Sequence, residues 1–292
     1  MNTNTAYLLG MVLGNGEIQD NQDGTFNITI DIPFKNLITD KNEDVTLYIE
    51  ASLFNIRDYI DDVIYPARLR STKEEHAIKL SFTLEETHPF ITILFEYIES
   101  GNKQQNFVIS PLIYDLSHDC IRSLLKGLAD VTGYMRRSNI AYGKWAQHRV
   151  YIEVPQNWYM VICIANLLKC VDVPVQTIDF AHPNFRDAHL IKYNEGKPDY
   201  WKKEHQIKIW ANEFLPIGFN IKHKEEALER YAHELELESD LSDTHKYYWQ
   251  KTVRRRKKPE HPGEYDPSLP SKIRGKHYES WTDLAKDLGY HE

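Results

Sequence analysis

At 292 residues, with 41% apolar and 12% aromatic side chains, the chain is long enough for one large domain or two smaller ones with cores of their own, and it is not disordered or fibrous. The formal charge of −8 excludes a protein coated in basic residues, although nucleic acid needs only a local basic face to meet its phosphates. Cys120, Cys163 and Cys170 stand at no metal-ligand spacing, no apolar stretch reaches the ~20 residues of a membrane span, and no basic-then-apolar leader opens the chain, so the expectation is a soluble, cytoplasmic protein with no membrane partner.

The first element is Ala6 to Glu17, AYLLGMVLGNGE, an apolar run that holds Gly10 and leaves through Gly16. It is expected to be a short, mostly buried helix, with Gly10 allowing a second backbone to approach and Gly16 as a left-handed stop. IQDNQDGTFNITIDIPF follows, in which Asp23-Gly24 signals a hairpin turn and Phe26, Ile28, Ile30 and Ile32 alternate with polar residues, the pattern of a strand pair with one wet face. LYIEASLFNIRDYIDDVI carries helical spacing, ARLRSTKEEHAIKLSF returns to strand, and ETHPFITILFEYIESGN is a helix expected to stop at Gly101.

The same order then repeats. Ser123 to Tyr134, SLLKGLADVTGY, echoes the first run, with Gly127 and Gly133 answering Gly10 and Gly16. YMRRSNIAYGKWAQHRVYIEV is expected to be a hairpin turning near Tyr142-Gly143, NWYMVICIANLLKCVDV a buried helix, VQTIDF and HQIKIWA two strands, and NEFLPIGFNIKHKEEALERYAHELEL helix. A second echo, Glu75-His76-Ala77-Ile78-Lys79-Leu80 against Glu204-His205-Gln206-Ile207-Lys208-Ile209, supports duplication. The fold class is therefore α+β: a pseudo-symmetric tandem repeat of αββαββα units, residues 1–112 and 113–240. Residues 241–292 form a small C-terminal extension, rich in proline and carrying the basic block Arg254 to Lys258 and a short helix with a Ser280 cap.

The doubled motif resembles the helix motif that names the LAGLIDADG homing endonuclease family. Its copies are Leu8-Leu9-Gly10-Met11-Val12-Leu13-Gly14-Asn15-Gly16 and Leu125-Lys126-Gly127-Leu128-Ala129-Asp130-Val131-Thr132-Gly133. The resemblance implies that the two helices pack together and that two four-stranded sheets form a saddle in the DNA major groove. It also implies that each helix end brings a carboxylate to the scissile phosphates, held with Mg²⁺ or Mn²⁺. The acidic position of the family is filled here by Asn15 and Thr132, which carry no charge to hold a metal. Glu17 and Asp130 lie beside those seats and are the candidate metal ligands. Lys79 and Lys208, at matching places in the second echo, are the candidate basic groups near a scissile phosphate. For DNA contact the candidates are Arg136, Arg137, Asn139, Lys144, Gln147 and Arg149, because arginine reads guanine and asparagine adenine bidentately while lysine holds phosphates.

The leading function is a sequence-specific double-stranded DNA endonuclease, of homing or restriction type, acting as a monomer with an internal two-fold. The alternative is a catalytically inactive DNA-binding regulator on the same scaffold, or an RNA-splicing maturase, which would add RNA as a partner. A third, favoured by the overall acidity, is an interaction protein that shares only the helix packing. No Gly-x-Ser-x-Gly elbow, Walker A loop, His-Glu-x-x-His or Cys-x-x-Cys pair points to other chemistry.

Overall fold

The computed structural model describes residues 1–37, 39, 46–136, 148–179 and 204–239. The chain opens with helix α1 (Thr3–Asn15), whose N-terminus is capped by the Asn2 side chain accepting from the Thr5 N–H at 2.8 Å. The glycine after it directs the chain straight into strand β1 (Gly16–Asp20), which pairs antiparallel with β2 (Thr25–Pro33) around the expected turn, Gly24 taking φ +83°. Helices α2 (Phe34–Leu37) and α3 (Thr46–Ile64), strands β3 (Arg70–Lys73) and β4 (Ala77–Glu85), and helix α4 (Pro89–Tyr97) complete the first unit.

A connector made of short strands β5 (Ile98–Ser100) and β6 (Val108–Ile109) leads to the second unit. That unit contains α5 (His118–Thr132), β7 (Gly133–Arg136), β8 (Arg149–Pro155), α6 (Trp158–Cys170), β9 (Thr177–Asp179), β10 (Glu204–Trp210), α7 (Ala211–Phe214) and α8 (Lys222–Ser239). Each unit builds a four-stranded antiparallel sheet of the same topology, β1-β2-β4-β3 in the first and β7-β8-β10-β9 in the second. One continuous core runs through both, from Leu8, Ile30 and Leu80 to Leu125, Ile152 and Ile207.

α1 and α5 lie against each other at the centre, and the contact is reciprocal. A Cβ at Gly10 would fall on the Leu124 carbonyl oxygen and a Cβ at Gly127 on the Tyr7 carbonyl oxygen, both far inside the 3.0 Å that real Cβ atoms keep. Gly10 stands to Tyr7 as Gly127 stands to Leu124, three residues along each helix, so each copy of the motif uses the same two positions to meet the other. Such an isologous contact places a two-fold axis between the helices.

Two expectations are corrected here. The glycines that end the helices are not left-handed: Gly16 has φ −95° and ψ 156°, Gly133 φ −87° and ψ 147°. They are needed for space instead, because the chain leaves each helix so sharply that a Cβ would strike the Val12 or Ala129 carbonyl oxygen, which accepts the glycine N–H. α4 ends at Tyr97 rather than at Gly101, whose φ of +94° turns the connector. That connector lies along the edge of the first sheet: the Ile18 N–H donates to the Asn102 carbonyl at 2.8 Å and Lys103 bridges to Glu17, closing an otherwise open edge strand.

Candidate nucleic-acid interface

Sheet alternation decides which side chains face outward. In the first sheet Ile18, Ile28, Ile30, Ile32, Ile78, Leu80, Phe82 and Leu84 are buried against the helices. The residues between them, Glu17, Gln19, Asn27, Thr29, Asp31, Lys79, Ser81 and Thr83, are half-buried or exposed on the opposite face. At the foot of α1 this face gathers charges of both signs. The Lys79 ammonium donates to Glu74 at 2.7 Å and lies 3.9 Å from Asp31, while Glu17 pairs with Lys103 at 2.8 Å. The hydrogen bond it donates to Glu74, then the charge of Asp31, push the Lys79 ammonium above its ordinary value, so it stays charged. Partial burial raises Asp31, opposed by Lys79 and reinforced by Glu74 and Glu17.

The equivalent face of the second sheet is closed. Tyr134 and Tyr151 stack with ring centroids 5.2 Å apart and planes 6° off parallel. The Gln206 amide donates to the Tyr134 hydroxyl at 2.8 Å and to Glu153 at 2.9 Å, and Glu153 also holds Lys35 of α2 at 2.5 Å. The Lys208 ammonium lies 5.3 Å from the centroid of the Tyr151 ring, and the Arg149 guanidinium 4.5 Å from that of Trp210. Glu153, Gln206 and Lys208 are buried, at 8%, 1% and 3% exposure.

Ladder register corrects the second sequence echo. Gly16, Ile30 and Leu80 form one row across the first sheet, and Gly133, Ile152 and Ile207 form the same row across the second. Lys79 is therefore equivalent to Gln206, and Lys208 to Ser81, a slip of two residues from the apparent match. Because two residues is one full strand repeat, the echo kept every side chain on its proper face and hid the shift. The same register makes Asp31 and Glu153 equivalent, an acid in each half one residue beyond the glycine row. Sequence reading missed this pair, since neither sits in a motif; only the ladder shows it.

The Asn15 amide donates to the Asp31 carbonyl at 2.7 Å, and the Thr132 hydroxyl donates to the Leu128 carbonyl at 2.9 Å. Asp130, expected to face the DNA beside Thr132, lies in the interior at 0% exposure. Its carboxylate accepts from the Tyr7 hydroxyl at 2.7 Å and from the N–H groups of Asn220 and Ile221 at 2.9 and 3.2 Å. Next to it the Lys224 ammonium, also fully buried, donates to the carbonyls of Ala129, Asp130 and Gly133 at 2.8, 2.9 and 2.7 Å, capping the C-terminus of α5. Burial raises Asp130, against the pull of Lys224, Tyr7 and the two backbone N–H groups. Burial lowers Lys224 to about 7, with Asp130 pulling the other way. The geometry thus brings Asp130 together with Tyr7 and Lys224 rather than with Glu17.

Divalent metal, which the resemblance implies, does not fit the helix ends: one seat offers an amide and the other a hydroxyl, each engaged with a carbonyl, and the acid beside Thr132 is enclosed by donors. Among the described residues no group of three or more His, Cys, Asp and Glu side chains is placed to hold a metal ion. Of the candidate DNA contacts, Arg149 is seated on Trp210 and Arg136 ends β7. Arg137, Asn139, Lys144 and Gln147 lie outside the described residues, as does the C-terminal extension. Among the described residues no helix is long and apolar enough to cross a membrane.

This is a mixed helix and sheet architecture with two four-stranded antiparallel sheets of one topology. Its structural neighbours are LAGLIDADG proteins. The homing endonuclease I-GzeII in complex with its DNA target is 7% identical, covering 88% of this chain and 99% of its own, at a TM-score of 0.41. I-DmoI in complex with DNA and Mn is 16% identical, covering 76% and 96%, at 0.38. The N-terminal LAGLIDADG domain of WhiA is 14% identical, covering 77% and 82%, at 0.36. No protein-family model matches the chain, and no curated protein matches it.

Proposed function

We propose that the protein binds double-stranded DNA as a monomer, its two LAGLIDADG-like units, 1–112 and 113–240, lying across the dyad of the duplex. The observation that carries this reading is the reciprocal glycine contact of α1 with α5. A two-fold axis built into one chain matches the local two-fold of a duplex, as dimeric DNA readers match theirs. Each unit adds a sheet with one apolar and one polar face, and the first presents amide, hydroxyl and cationic groups of the kinds that meet base edges and phosphates. I-DmoI and I-GzeII, which are seen bound to DNA, agree with this partner. The uncharged helix ends favour binding without metal-dependent cutting, as in a regulator. Gel-shift titration of the purified chain with a pool of random-sequence duplexes tests the reading: retention of selected duplexes in the presence of EDTA supports it, and no retention of any duplex ends it.

Endonuclease activity is the second reading, and one observation favours it. Asp31 has a buried Oδ1 with no hydrogen-bond partner, stands beside Lys79, and feels the charge of Glu17, so two carboxylates and an ammonium converge below α1. Two carboxylates are what Mg²⁺ usually takes from a protein. Incubation of the selected duplexes with Mg²⁺ or Mn²⁺ decides it: cutting that disappears in Asp31→Asn establishes this reading, and intact DNA under both metals rejects it.

A further inference from the structure

The charges of this chain are unevenly divided. Seven of its 35 lysines and arginines fall between Lys246 and Lys258, a run that holds no acid, so the remaining residues carry 28 cations against 43 acids. The sheets do not make up the difference. The strands of the first hold three cations and four acids, and those of the second three of each. At the foot of the helix pair the ammonium groups already face partners. Lys79 donates to Glu74, Lys103 pairs with Glu17 and Lys35 with Glu153, while Lys224 is buried on the carbonyls that end α5. A phosphate that approaches any of the first three also approaches the carboxylate beside it, and the repulsion of one charge offsets the attraction of the other.

α8 fixes where the basic run leaves the body. It starts where Lys224 caps α5, and it is tied to the first unit as well. The Tyr231 hydroxyl donates to the Thr39 carbonyl at 3.2 Å, and a ring nitrogen of His223 lies 2.7 Å from the Leu37 carbonyl oxygen. Whatever follows Ser239 therefore departs from an element held by both units. Arg254 stands fifteen residues further on, a reach of up to about 50 Å. The 18 residues of α8 span only about 27 Å, so the run can return the full length of that helix to the foot of the helix pair.

We propose that residues 246–258 are the phosphate anchor of this protein: Arg254 to Lys258 above all neutralise the backbone of a duplex that the two units orient, and they do so without reading its bases. This rests on the DNA-binding reading above. The charge that holds DNA then lies outside the two sheets, in a part of the chain that the doubled motif does not call for.

Anisotropy titrations of the full chain against a selected duplex and a duplex of unrelated sequence, from low to moderate salt, measure this. Arg254→Gln, Arg255→Gln, Arg256→Gln, Lys257→Gln and Lys258→Gln in one chain, checked by its melting temperature, should weaken both complexes by the same factor, about tenfold or more. The same variant should lose most of the salt dependence, since each phosphate contact accounts for about one released ion. Arg254→Lys, Arg255→Lys and Arg256→Lys together should keep the affinity near that of the unaltered chain, because the charge is conserved. Unchanged affinity and salt slope in the glutamine variant, a tighter complex, or a loss confined to the selected duplex would each overturn the inference while leaving DNA binding in place. Failure of the unaltered chain to bind any duplex would instead remove the DNA-binding reading and this one with it.

Discussion

Asp130 shows how one residue changes meaning between sequence and structure. Two residues before Thr132 in a motif that resembles a nuclease helix, it reads as a displaced metal ligand. In the folded chain it ties α1, through Tyr7, to the segment entering α8, through the N–H groups of Asn220 and Ile221. Asp130→Ala should therefore act on stability, costing about 3–5 kcal/mol because it leaves a buried ammonium and three donors uncompensated. Urea unfolding measures this. His205 makes a second prediction: it lies on the apolar face of β10, and burial lowers its imidazole to about 3 from 6.5. The unfolded chain then binds the proton that the folded chain refuses, so stability falls as pH drops from about 6.5 towards 3, by roughly 1.4 kcal/mol per unit. His205→Leu should flatten that part of the stability–pH curve. Lys224 acts in the alkaline range. Its folded value near 7 lies below its ordinary 10.5, so its burial cost is full below pH 7 and fades as pH rises through that window. Lys224→Met should remove this rise in stability between neutral and alkaline pH.

Among the elements, the helix pair is the one whose geometry tolerates least. Gly10→Ala and Gly127→Ala each put a methyl onto a backbone carbonyl of the facing helix, which has no rotamer to retreat into. Each should destabilise by about 3 kcal/mol or more, and by similar amounts, since the contacts are the same contact seen from two sides. Gly24→Ala is the control: open space surrounds its Cβ position, so only the positive φ opposes it, at about 1 kcal/mol. Thermal melting of the three variants ranks them. The helix ends offered a different lesson, because a glycine that closes a helix reads the same in sequence whether it turns left-handed or makes room for a sharp exit. Only the dihedral angles separate the two.

For the whole molecule, a net charge of −8 limits how DNA can be held. Few phosphates can be neutralised by a chain with more acids than bases, so affinity should fall with salt along a shallow slope, about four released ions or fewer. Fluorescence anisotropy from low to moderate salt gives the slope, and a value near ten would require a basic surface far larger than the described residues supply.

The sequence by itself determined the repeat, the α+β order, the helix pair with its glycine contacts, and the wet and dry faces of the strands, because each is written in local periodicity and in residue size. It left the identity of the buried charges and the state of the two sheet faces undecided. Asp130 and Lys224 are separated by ninety-four residues, Glu153 and Lys35 by more than a hundred, and Lys79 and Gln206 become equivalents only through ladder register. Tertiary structure decided those, since burial and pairing are properties of what the chain brings beside a residue, and no window of neighbouring residues contains them.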